Sequence, residues 1–73
     1  MDPQVVWKRM LSALEVGNIE EAADAAGDLV DWLDRLGFPP QISSDYQLPD
    51  AWCRVVSRAA CEVTLEMANR PTS

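Results

Sequence analysis

The sequence predicts a small all-α domain, a three-helix bundle running up, down and up, with a packed irregular loop between its second and third helices. Three observations predict it. Apolar residues recur at helical spacing in three separate segments, and residues that start or stop helices punctuate the gaps between them. At 73 residues, with 48% apolar and 25% charged side chains, the chain has the composition of one globular domain rather than of a disordered segment.

The first helix is expected over residues 3–16. Asp2 is placed to cap it, and Pro3 suits the first helical position, where a missing N–H costs nothing. Trp7, Met10, Leu11 and Leu14 recur at i, i+3, i+4 and i+7, with Val6 and Ala13 at one edge and Lys8, Arg9, Ser12 and Glu15 opposite. Gly17 can take the left-handed conformation that ends a helix, and Asn18 with Glu21 forms a capping-box-like start for the next. Glu20, Glu21 and Asp24 then sit near the positive end of the new helix dipole.

The second helix is expected over residues 19–36. Ile19, Ala22, Ala23, Ala26, Leu29, Val30 and Leu33 form one stripe, widened by Ala25, Trp32 and Leu36 to about half the circumference. Such an arc suits a helix that touches two others. Gly27 costs up to ~1 kcal/mol relative to Ala at mid-helix, which suggests tight packing there. Gly37 reads as the terminator.

Residues 37–48 are the loop. Pro39 and Pro40 block a helix, and Phe38, Ile42, Tyr46 and Leu48 are expected to pin the segment to the core, with room for a short helical turn over 44–47. The third helix is expected over residues 49–68. Its inward stripe would be Trp52, Val55, Val56, Ala59, Ala60, Val63 and Met67, with Arg54, Ser57, Arg58 and Glu62 outward. Asn69, Arg70 and Pro71 end it and residues 69–73 form a fraying tail. Each helix carries one tryptophan, so Trp7, Trp32 and Trp52 are expected in a shared core.

The stretch Leu14-Glu15-Val16-Gly17-Asn18-Ile19-Glu20-Glu21-Ala22 resembles the turn of a tetratricopeptide repeat, where a Gly-Asp/Asn turn joins two antiparallel helices ahead of an acidic pair and a small Ala. The resemblance spans one hairpin, about residues 7–40. It departs from the repeat pattern at Ala26, Leu29 and Asp34, and no second copy follows. What it implies is an antiparallel hairpin and not a peptide-binding groove.

Charge and chemistry restrict function. The net charge of −6 disfavours nucleic acid, whose phosphates an acidic surface repels. No apolar run approaches a membrane span, and Met1-Asp2-Pro3-Gln4 does not read as a signal peptide, so cytoplasmic residence is expected. Cys53 and Cys61, eight residues apart on one helix, would be ~12 Å apart, too far for a disulfide, and their spacing suits no zinc site. Asp24, Asp28 and Asp31 align along one straight helix without a wrapping loop, the pattern of a solvated face rather than a cation site. Arg54 and Arg58 read as a salt-bridged surface pair. With no histidine and no nucleophile–base set, no enzyme activity, cofactor or metal is expected.

Cys61, Leu65 and Ala68 lie away from the expected inward stripe of helix three, giving it a second apolar side. That side is the candidate surface for a protein partner or for a homodimer. The expected function is therefore a non-enzymatic interaction module or accessory protein. The alternative is an acidic decoy or inhibitor, antitoxin-like or a nucleic-acid mimic, that engages a basic protein through Asp24, Asp28 and Asp31.

Overall fold

Asp2, Gly17-Asn18 and the Leu36-Gly37 pair divide the chain where its helices begin and end. The computed structural model describes residues 1–70 and contains α1 (Pro3–Glu15), α2 (Ile19–Asp34) and α3 (Asp50–Asn69). α2 packs against both neighbours, which makes the molecule the all-α three-helix bundle the sequence predicts. The expected stop at Pro71, and the tail beyond it, lie outside the described residues.

The α1–α2 hairpin is built by its capping residues. Asp2 Oδ1 accepts from the Gln4 amide at 2.9 Å, and Pro3 opens α1. At the other end Gly17 takes φ +78°. Its N–H donates to Leu14 O at 3.2 Å, and the Asn18 N–H donates to Ala13 O at 2.8 Å, the paired back-turning bonds of a Schellman motif. Asn18 Oδ1 then accepts from the Glu21 amide at 3.2 Å, so the residue that closes α1 also starts α2.

α2 ends two residues sooner than its apolar pattern suggests. The left-handed position belongs to Leu36, at φ +64°, and not to Gly37. The Leu36 N–H donates to Leu33 O and the Gly37 N–H to Trp32 O, both at 3.0 Å, repeating the Schellman geometry with a leucine at its strained position. An L-residue there costs roughly 1–2 kcal/mol. Leu36 recovers none of it by burial, since it is 85% exposed rather than part of the stripe. Gly37 is needed for a different reason: a Cβ on it would fall 2.2–2.6 Å from three atoms of the Trp32 indole. That ring lies over the turn, donates from Nε1 to Phe38 O at 2.9 Å, and meets the Phe38 ring edge-on at 5.7 Å.

The loop is tied down chiefly by residues other than the expected aromatics. Pro39 and Pro40 are buried, Ile42 and Leu48 half-buried, and Phe38 and Tyr46 exposed. No helical turn forms over 44–47. Gln4 on α1 grips the loop backbone with both ends of its carboxamide: Nε2 donates to Gln41 O at 3.1 Å and Oε1 accepts from the Gln41 amide at 2.8 Å. The Gln41 side chain in turn accepts from the Leu48 amide at 3.4 Å.

The core joins Val6, Trp7, Met10 and Ala13 of α1 to Ala22, Ala25, Ala26, Leu29 and Leu33 of α2 and Cys61 of α3. Only Trp7 of the three tryptophans is buried; Trp32 is half-buried at the α2 end and Trp52 is exposed. Tight packing does not explain Gly27, because a Cβ there would meet nothing within 4 Å.

Two stability changes of opposite sign follow. Gly27→Ala removes backbone entropy from the unfolded chain without a clash and should stabilise by up to ~1 kcal/mol, raising the thermal midpoint by roughly 4–8 °C. Gly37→Ala forces the Trp32 indole off the turn and should destabilise by about 1–3 kcal/mol, read in the same melts. An unchanged midpoint for either substitution would contradict the corresponding argument.

Candidate functional site

α3 meets α2 through its smallest side chains. Cys53, Ser57, Cys61 and Thr64 are the buried residues of α3, and α2, which packs against it, has an alanine-rich face with Ala22, Ala25, Ala26 and Leu29 wholly buried. Small residues on both sides let two helices approach closely, because the separation of packed helices is set by the side chains at the contact. The hydroxyls that this stripe buries are satisfied within the helix: Ser57 Oγ donates to Arg54 O at 3.3 Å and Thr64 Oγ1 to Ala60 O at 2.8 Å.

The inward face of α3 is therefore not the one expected from the larger apolar residues. Trp52, Val55, Val63 and Met67 are 48%, 68%, 56% and 47% exposed, Ala59 is exposed, and Val56 and Ala60 are half-buried. Cys61, assigned from sequence to a second, outer face, is fully buried; Leu65 is half-buried against the core and Ala68 alone of the three is exposed. At ~100° per residue the two apolar sides of α3 are separable, but their spacing does not say which one turns inward. Small partners on α2 select the small stripe, and the large one is left outside.

Two arginines lock this orientation at the end of α2. Arg54 donates to Leu33 O at 3.3 Å and to Gly37 O at 2.9 Å, placing its cation at the negative end of the α2 dipole. Arg58 pairs with Asp34 on α2 and, at 3.1 Å, with Glu62 one turn along α3. The Asp34 hydrogen bond, then the one to Glu62, raises the pKa of the Arg58 guanidinium. Both arginines are thus engaged by groups of their own chain.

Between α1 and α3 the chain leaves an apolar groove. No Cα of α1 lies within 8 Å of a Cα of α3, and Met10 reaches across: its sulfur lies 4.0 Å from Cys61 Sγ and 3.7 Å from Thr64 Oγ1. Above that floor the groove is walled by Leu11 and Leu14 of α1 and by Val56, Ala59, Val63 and Met67 of α3. Leu11, expected in the buried face of α1, is a wall of this groove. One end continues past Leu14 and Met67 to Gly17 and Ile19, the other past Trp7 and Leu11 to Ile42 and Ser43 of the loop.

The acidic candidates occupy the other side of the molecule. α2 presents its apolar arc to both neighbours, so Asp24, Asp28 and Asp31 are exposed on its outer side. Asp28 lies 3.7 Å from Arg9, which also pairs with Glu21 at 2.9 Å, and Asp31 lies 2.5 Å from Arg35. Among the described residues, no three His, Cys, Asp or Glu side chains are grouped so as to hold a metal ion. Nor, among them, is any helix long and apolar enough to cross a membrane.

No protein-family model, curated protein or solved structure matches this chain.

Burial pushes the Cys61 thiol up to about 11 from its ordinary value of 9.0, with a smaller contribution from the Glu62 carboxylate. The folded chain then holds this proton where the unfolded chain releases it. The stabilising effect is complete below about pH 9 and is lost as pH rises toward about 11. Thermal midpoints followed through that window should fall more steeply for the native chain than for Cys61→Ala. Parallel curves would show that Cys61 does not couple folding to pH.

Proposed function

We propose that this chain is a non-enzymatic protein–protein interaction module that binds through the apolar front formed by α3 and the groove beside α1. The observation that carries the reading is the outward placement of the large apolar residues of α3. Contiguous exposed apolar surface of this kind marks interaction sites on folded proteins, whereas scattered single residues do not. An elongated groove between two helices also suits a partner helix, which anchors at positions one turn apart.

The acidic-decoy alternative has less support. Asp28 and Asp31 already face arginines of their own chain, which weakens the field a basic partner would meet.

The test is affinity capture with the tagged chain, from lysate of its own organism, at low and high salt, beside Val63→Asp as control. Val63 is exposed, so the variant should keep its helical circular dichroism while placing a charge on the front. The reading expects a protein, untagged copies of this chain included, retained at both salts by the native chain and lost with Val63→Asp. Retention that salt abolishes and Val63→Asp leaves untouched would move the contact to the acidic face of α2. Captures empty at both salts would overturn the proposal.

A further inference from the structure

We infer that the occupant of the apolar front is a second copy of this chain, docked α3 against α3 in antiparallel sense about a twofold axis at the middle of the helix. The inference rests on the interaction-module reading and names its partner.

The first argument is the order of residues along the outer face. Trp52 and Met67, Val56 and Val63, and Ala59 and Ala60 lie at equal distances from the point between Ala59 and Ala60, which is also the midpoint of α3 (Asp50–Asn69). A twofold interface brings one patch against itself, so it requires that reading the patch from either end gives matching chemistry. A foreign partner imposes no such requirement. Antiparallel docking sets Trp52 beside Met67 of the second copy, a favourable sulfur–aromatic pair, and Val56 beside Val63. At the crossing point the exposed Ala59, beside Ala60 at the edge of the core, lets the helices approach closely.

Charge selects the same sense. Along α3, Arg58 precedes Glu62 and Glu66, while Arg54 is taken up by the carbonyls at the end of α2. Antiparallel docking brings Arg58 of one helix toward Glu62 and Glu66 of the other, while parallel docking sets Arg58 against Arg58 and the glutamates against each other. The residues paired across the axis, Trp52 with Met67, Val56 with Val63 and Ala59 with Ala60, carry no charge.

Size fits as well. Half the lateral surface of a 20-residue helix, ~30 Å long and ~10–12 Å across, is about 500 Å². Leu11 and Leu14 along the groove extend the front toward the ~800 Å² per partner that a stable dimer buries. That is about a sixth of the 4987 Å² surface of the chain.

Sedimentation velocity across roughly micromolar to millimolar concentration tests the inference, with Ala59→Arg as variant and circular dichroism as the fold control. The native chain should run at twice its 8.1 kDa mass, and Ala59→Arg should run as a monomer with its helix content intact. Ala59→Cys decides the matter should the arginine variant fail to fold: diamide should link it into a covalent dimer, and should link neither the native chain, whose thiols are buried, nor Ser12→Cys on exposed α1 surface. A native chain that stays monomeric throughout overturns the inference. So does a dimer that Ala59→Arg leaves intact and Ala59→Cys fails to link. A monomeric chain that still retains a foreign protein through Val63 overturns this inference alone and leaves the interaction-module reading standing.

Discussion

The contact between the alanine-rich side of α2 and the small stripe of α3 decides most of what this molecule presents. Ala22, Ala25 and Ala26 on α2 and Cys53, Ser57, Cys61 and Thr64 on α3 are all essentially without solvent exposure. Turning α3 so that Trp52, Val56 and Val63 faced α2 would place a ring and two branched side chains where there is room for thiols and hydroxyls. The helices would have to separate, and Arg54 and Arg58 would lose the carbonyls and the carboxylate that hold them. Small packing at the back of α3 and large apolar residues at its front are one constraint seen from two sides. The groove follows from it too, with Met10 reaching across the distance left between α1 and α3.

Residues with a local job were legible in the sequence. Asp2, Gly17 and Asn18 act on backbone groups within a few positions of themselves, so their pattern determines their structure without knowledge of the fold. The same holds for the periodicity that defines three helices. What the pattern omits is phase. α3 has two apolar sides, and choosing between them requires the shape of α2, a tertiary fact. Ranking the sides by apolar bulk picks the wrong one. Ser57 and Thr64 add to the error, because a hydroxyl that bonds back along its own helix can be buried at little cost while reading as polar.

Other details depended on contacts between distant positions. Gly37 looked like a left-handed stop and is instead the space under an indole, while Leu36 takes the left-handed conformation. The Gln4–Gln41 pair joins residues 37 positions apart through two bonds that no local signal announces. Gly27 looked like a packing residue and faces open space. The acidic residues of α2 were placed correctly on a solvated face; Arg35 meets Asp31 at i,i+4 along the same helix, but the partner Arg9 became visible only once α1 and α2 were set side by side.

The distribution of apolar residues links stability to association. A chain of this length removes only about 60% of its surface from water on folding, and much of its core here is alanine and cysteine. Its larger apolar side chains on α3 contribute little to the monomer, because they remain in contact with water. Covering them adds hydrophobic burial at about 25 cal/mol per Å² without any change to the core. Anything that binds the folded front and not the unfolded chain then stabilises the fold by mass action, in proportion to the logarithm of its concentration. α3 thus divides its residues by size: small ones face the bundle and let it approach α2, and large apolar ones remain at its surface.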